Sequence, residues 1–181
     1  MRRILVSLTL LLLLCSTIAA QAPKIGLGVF GGLDVPIVQD DQDQGTVFGI
    51  RGKLKVLPIV TLEPRISFTK YGDPEFDEFT SDLDGSKVNS YGVDAVFGAP
   101  FGAAGFNLFG VLGAGFYNVK RDQTLQDETN LGWSAGLGFA IGVAPMVSID
   151  VRGKLNVIPY DDGGSKKSGS VTAGLNYYFG M

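Results

Sequence analysis

Apolar side chains alternate with polar residues or glycine along most of the chain from about residue 24 to residue 179. Between Leu131 and Val143 one parity holds Leu131, Trp133, Ala135, Leu137, Phe139, Ile141 and Val143, and the other holds Gly132, Ser134, Gly136, Gly138, Ala140 and Gly142. Val147, Ile149, Val151, Leu155 and Val157 stand likewise against Ser148, Asp150, Arg152, Lys154 and Asn156; Val60, Leu62, Pro64, Ile66 and Phe68 stand against Thr61, Glu63, Arg65 and Ser67. A period of two belongs to a strand whose faces meet different surroundings, and no stretch sustains the helical spacing i, i+3, i+4, i+7. The pattern predicts an all-β fold of eight strands, near 24–36, 46–57, 60–68, 87–98, 105–119, 131–143, 147–157 and 170–179.

The connections take turns in length. Long polar ones fall near 37–45, 72–86, 120–130 and 158–169, and short ones at Leu57-Pro58-Ile59, at 99–104 and at Ala144-Pro145-Met146. An antiparallel up-and-down barrel with both termini at one end needs four connections at the far end and three at its own, and the chain supplies that set. A strand of ten to thirteen residues rises ~33–43 Å and, tilted by ~40°, crosses a membrane's apolar band.

Charge decides which face is which. The strand acids Asp34, Glu63, Asp94 and Asp150 and the bases Lys24, Arg51, Lys53, Lys55, Arg65, Arg152 and Lys154 all fall on the less apolar parity; Lys70, at a strand end beside a long loop, is the exception. An Arg or Lys facing lipid at mid-membrane costs ~2–4 kcal/mol, so a transmembrane barrel must confine its charges to the lumen. Parity alone also permits a soluble calyx with the apolar face inward. About 40 apolar residues would then have to fit an eight-stranded interior that side chains alone nearly fill. Glycines of the sixth strand would weaken a wet outer surface, whereas in a crowded lumen they make room for long Arg and Lys from the opposite wall. The transmembrane eight-stranded antiparallel up-and-down β-barrel is the favoured architecture.

Composition removes several chemistries. The 181 residues include no His, which excludes Ser-His and Cys-His nucleophile systems and His-ligated metals. Arg2 and Arg3, the apolar run Ile4–Leu14 and the small residues Ala19, Ala20 and Ala22 form an export signal too short to span a bilayer. Cleavage is expected after Ala19 or Ala20, giving a signal peptide over 1–20 and a barrel domain over 21–181. Cys15 lies inside the signal with Leu14 before it, where a lipoprotein would carry a small residue. Loss of Arg2 and Arg3 leaves 13 bases against 18 acids, a net charge of −5, which disfavours a nucleic-acid partner.

The C-terminal run Thr172-Ala173-Gly174-Leu175-Asn176-Tyr177-Tyr178-Phe179 resembles the terminal β-signal of outer-membrane proteins, with Thr172, Gly174, Tyr177 and Phe179 at the signal positions. Gly180 and Met181 follow, where that family usually stops. With the export signal and the strand pattern, the mature chain resembles the small eight-stranded bacterial outer-membrane β-barrel family and is similar to the transmembrane domain of outer-membrane protein A. The resemblance implies outer-membrane location, lipid contact, insertion by the barrel-assembly machinery and a monomer. It is nearly silent about activity.

The lumen residues carry the functional question. Arg51-Gly52-Lys53-Leu54-Lys55-Val56-Leu57-Pro58 and Arg152-Gly153-Lys154-Leu155-Asn156-Val157-Ile158-Pro159 agree at six of eight positions, and both aim an Arg and a Lys inward. A turn centred on Pro58 sets Lys53 against Glu63 and Arg51 against Arg65. One reading is a packed ion-pair network that fills the barrel; the other is a narrow, wet, anion-favouring path. The acidic loops, Asp40-Asp41-Gln42-Asp43 and Asp73 to Asp84, could be solvated segments or cation sites. Asp82-Leu83-Asp84-Gly85 resembles part of a calcium loop, but Val93 stands where the closing Glu should be, so no metal and no cofactor is expected. Trp133, Tyr91, Tyr177 and Phe179 are expected as membrane-belt anchors. A structural or surface-interaction barrel ranks first, a pore or hydrophobic-solute conduit second and an enzyme last.

Overall fold

The computed structural model describes residues 25–37, 44–72, 87–98, 105–120, 128–159 and 164–179. The export signal, Lys24 and the acidic stretches at 40–43 and 73–84 lie outside the described residues. The strands are β1 (Ile25–Pro36), β2 (Gly45–Leu57), β3 (Val60–Tyr71), β4 (Lys87–Phe97), β5 (Gly105–Lys120), β6 (Glu128–Ala144), β7 (Val147–Pro159) and β8 (Ser165–Phe179). Each pairs antiparallel with its neighbours in chain order, and β8 returns to β1 from Ile25↔Phe179 to Pro36↔Ser168, closing the barrel. Closure removes every sheet edge, which a lipid environment demands because it offers no hydrogen bonds to free backbone groups.

Four strands run two or more residues further than the alternation indicated. β3 continues to Tyr71, β6 begins at Glu128, β7 continues to Pro159 and β8 begins at Ser165, so the third and fourth long connections shrink to 121–127 and 160–164. The added segments Glu128-Thr129-Asn130 and Ser165-Lys166-Lys167-Ser168 are polar on both faces. On β8 the inward Lys166 and Ser168 are polar yet buried in the lumen, so pairing continues while the hydrophobic signal disappears.

Two-residue turns centred on Pro58-Ile59 and Pro145-Met146 close the β2–β3 and β6–β7 hairpins. Proline presets the first turn position, but an ordinary turn splays twisted strands, and among the described residues only Gly98 and Gly105 have positive φ. Register shifts at Lys55/Leu57 and Gly142/Ala144, one beside each turn, absorb the mismatch.

The outward face carries the large apolar side chains. Leu108, Leu137, Leu131 and Phe48 are each about 60–75% exposed to the surroundings, an arrangement that only lipid makes favourable. Phe48 stacks on Phe68 and Phe106 on Phe139 across strand pairs at 5.4 and 5.5 Å, while Tyr91, Trp133, Tyr177 and Phe179 also point outward. The inward face is tiered. Tyr71, Val88, Tyr117, Val119 and Ile158 cluster at the loop end, and Val96, Phe109 and Val111 pack near the turn end. The ion pairs of Arg51, Lys53, Glu63, Asp150 and Arg152 lie between them, and Asp34 and Lys166 sit beside Tyr71 at the loop end.

Candidate functional site

The central tier joins four strands, β2, β3, β7 and β8, across the lumen. Turn register places Arg51 of β2 directly across from Arg65 of β3, so neither can neutralise the other and each must find acids elsewhere. Arg51 Nη2 donates to both oxygens of Asp150 on β7 at 2.8 and 2.9 Å, and its Nε donates to Asn176 Oδ1 of β8 at 3.3 Å. Lys53 Nζ donates to Glu63 Oε1 at 2.8 Å. Arg152 bridges the two acids, with Nη1 on Glu63 Oε2 at 2.6 Å and Nε on Asp150 Oδ1 at 3.1 Å. Every side chain in this tier is buried, Glu63 and Asp150 to 1% exposure. Asn176, fully buried, also donates to Asp150 Oδ2 at 2.8 Å, which completes that carboxylate's acceptor capacity.

A second set sits toward the loop end. Asp94 of β4 accepts from Arg65 Nε at 3.0 Å and from Lys154 Nζ at 2.7 Å. Arg65 spends its other nitrogens on Ser90 Oγ at 2.9 Å and the Tyr117 hydroxyl at 3.0 Å. Asp34 stands apart and accepts from the Tyr71 hydroxyl at 2.8 Å. Lys55, half-buried near the β2–β3 turn, joins none of these pairs. The sequence pattern did not single out Lys166, which is buried beside Tyr71 with Nζ 4.5 Å from the ring centroid. Counting back by twos from Thr172 through Ser170 and Ser168 would have found it.

Inward aromatic rings organise the bases. Arg51 lies over Phe30 at 5.1 Å, Arg65 over Tyr117 at 5.8 Å, Arg152 over Phe109 at 5.0 Å and Lys53 over Tyr178 at 5.9 Å. The rings in turn rest on lumen glycines: a Cβ on Gly49 would meet Phe30 Cζ at 2.6 Å, and one on Gly138 would meet Phe109 Cζ at 2.6 Å. Gly132 lies under Tyr117 and Gly26 under Tyr178 in the same way. This corrects the expectation that the glycines of the sixth strand make room for Arg and Lys from the opposite wall. On β6, Gly132 and Gly138 admit rings from β5, and Gly136 admits the Lys154 stem from β7, all from adjacent strands. Ring-on-glycine contact shields the exposed backbone of the glycine, and cation-on-ring contact adds ~0.5–2 kcal/mol at a partly desolvated base.

The central tier packs charged side chains across the lumen between the loop-end cluster and the turn-end cluster. A cavity of about 60 Å³ lies on the loop side of the central tier, bordered by Arg51, Arg65, Arg152, Lys154, Thr172 and the loop-end cluster. Toward the turn end the aliphatic cluster around Phe109 packs against Ala140. Among the described residues no group of three or more Asp, Glu, Cys or His converges on a metal-sized site.

The terminal-signal residues occupy two faces of β8. Tyr177 and Phe179 point outward and touch edge to face at 5.0 Å. Thr172 and Gly174 point inward, and the Arg51 guanidinium lies against Gly174 where any side chain would collide with it. Among solved structures, Neisserial surface protein A superposes with a TM-score of 0.65 at 17% identity, covering 86% of this chain and 97% of that one. The N-terminal barrel domain of Pseudomonas aeruginosa OprF does so with a TM-score of 0.58 at 11% identity over 86% and 97% of the two chains. Ail of Yersinia pestis follows at 0.52 and 17% identity over 88% and 100%. At these identities the likeness is one of fold. No curated protein matches the chain in sequence. The outer membrane protein beta-barrel domain family matches residues 6–179, nearly the whole sequence, and the chain belongs to that family.

Proposed function

We propose that this protein is a non-enzymatic, monomeric barrel of the bacterial outer membrane with a structural or surface-interaction role, closed along its lumen and presenting acidic loops to the outside. One observation carries the reading: Arg152 bridges Glu63 and Asp150 across the centre of the barrel, with aliphatic side chains packed on the turn side of that bridge. A buried ion that gives up such partners loses several kcal/mol, so the bridge does not open for passing solutes at ordinary rates. Removal of the 1–20 signal and delivery to the barrel-assembly machinery, with Thr172, Gly174, Tyr177 and Phe179 as the insertion signal, belong to the same proposal. Lipid is then the partner of the outward apolar face. The second reading, a narrow pore, draws on the loop-side cavity and its surplus of bases. Planar-bilayer recording of the refolded protein tests both: silence at ordinary voltages is expected, and steady unitary currents would replace the plug with the pore.

A further inference from the structure

The described lumen holds more positive than negative charge. Six buried or nearly buried bases, Arg51, Lys53, Arg65, Arg152, Lys154 and Lys166, share the interior with four acids, Asp34, Glu63, Asp94 and Asp150. The surplus concentrates on the loop-side cavity, where four of those bases border the space with only Asp34 and Asp94 among the acids. Both oxygens of Asp94 are already taken by Arg65 and Lys154. Surrounded by lipid-facing walls, that surplus has little solvent screening and must be answered locally.

Donor capacity without a protein acceptor converges on the same space. Arg51 commits Nε to Asn176 and Nη2 to Asp150, which leaves Nη1 without a partner among the described residues. Lys154 Nζ makes one hydrogen bond, to Asp94, of the three it can donate. Thr172, 7% exposed and facing Arg152 in register, borders the cavity with a hydroxyl that has no protein partner among the described residues. The volume of about 60 Å³ has room for about four waters, or one small inorganic anion with a residue of hydration.

From this charge surplus and these donors we propose that the loop-side cavity is a binding site for one small monovalent inorganic anion of the halide class, held by Arg51, Lys154 and Thr172. The anion completes the ion-pair network as an internal counter-charge and locks the β2 and β7 walls together. The proposal rests on the closed-lumen reading, because an open pore would exchange the ion freely with bulk solution and store no stability in it.

The test uses the mature protein refolded in detergent, with thermal unfolding followed in sodium bromide and in sodium gluconate at equal ionic strength. The midpoint should be ~5 °C higher in bromide, with saturation as bromide rises, since a ligand that binds only the folded state stabilises it by mass action. Lys154→Gln, which removes surplus charge, and Asn156→Asp, which places a carboxylate at the cavity wall, should each abolish the bromide dependence. Two variants that alter charge in the same direction by different means guard against a folding defect in either. Crystals grown in bromide should show an anomalous peak within ~3.5 Å of Arg51 Nη1 and Lys154 Nζ. Equal midpoints in the two salts, equal bromide responses in wild type and variants, or water alone at that position would overturn the site. Bilayer recording separates the two layers of inference: halide-dependent currents would defeat the closed lumen, whereas silence without a bromide effect would defeat the anion site alone.

Discussion

Glu63→Gln removes one of the two acids of the central tier while keeping its shape. Glu63 is 1% exposed and accepts from Lys53 at 2.8 Å and from Arg152 at 2.6 and 3.2 Å. Each of these pairs, with charge centres ~4 Å apart, is worth ~4 kcal/mol at an effective dielectric of about 20. Losing the desolvation cost of the carboxylate and keeping weaker bonds to the amide oxygen offsets part of this, and broken buried pairs typically cost ~3–5 kcal/mol net. The remaining tier would hold Arg51, Lys53 and Arg152 against Asp150 alone. For a chain of this length ~1 kcal/mol moves an unfolding midpoint by ~2–4 °C, so the variant should melt ~6–20 °C lower, read by loss of the β-sheet circular dichroism signal and of heat-modifiable gel migration. The double substitution Lys53→Met with Glu63→Gln removes one stranded base and should recover part of the loss. A midpoint within ~2 °C of wild type, or a double variant worse than the single one, would refute the dry-network account and point to water shielding every charge.

Other perturbations test separate parts of the account. Phe179→Asp places a charge on the lipid face of the closing strand and should leave little folded protein in outer-membrane fractions; normal heat-modifiable levels would count against the insertion-signal reading. Gly138→Val drives a side chain into Phe109 and into the Val151 carbonyl, each 2.6 Å from its Cβ, and should cost ~1–3 kcal/mol, whereas Gly153→Val, with nothing within 4 Å of its Cβ, should leave the unfolding midpoint unchanged. An epitope inserted near Phe79 should bind antibody on intact cells, and detection only after the outer membrane is opened would invert the orientation.

The sequence displayed face better than neighbourhood. Period-two alternation identified all eight strands and assigned Arg51, Glu63, Asp94, Asp150 and Arg152 to one parity, because lipid on one side and a packed lumen on the other impose opposite demands. Parity carries no information about height or about who meets whom across the lumen. Arg51 reaches Asp150 99 residues away because the whole barrel sets their relative height, and no local pattern encodes that. The hairpin contact between Lys53 and Glu63 was legible, since the Pro58 turn fixes the register of two adjacent strands. Phe30, Phe109 and Tyr178 share the lumen parity, but aromatic residues on a strand suggest a lipid belt, and only the fold shows each ring resting on the glycine across from it, Gly49, Gly138 and Gly26. Lys55 lies on the charged parity yet joins none of the ion pairs among the described residues, so parity is necessary for membership and not sufficient.

The two Arg-Gly-Lys-Leu segments show why the network specifies the fold as well as filling it. The β2 copy runs toward the turn end and the β7 copy toward the loop end, so the same order of residues puts Lys53 on the turn side of Arg51 and Lys154 on the loop side of Arg152. The two arginines then meet at Asp150, while the lysines separate to Glu63 below and Asp94 above. Slipping β7 by one residue against its neighbours would turn Asp150, Arg152 and Lys154 outward together. Each base facing mid-membrane would cost ~2–4 kcal/mol, and each abandoned partner inside would be left a buried, unpaired charge. The alternative registers of an otherwise repetitive apolar strand are therefore separated from the native one by far more than the few kcal/mol that aliphatic packing supplies. A core of aliphatic side chains could fill the same lumen, but with apolar residues on both faces of β7 a one-residue slip would carry little penalty, and the charges are what make it prohibitive.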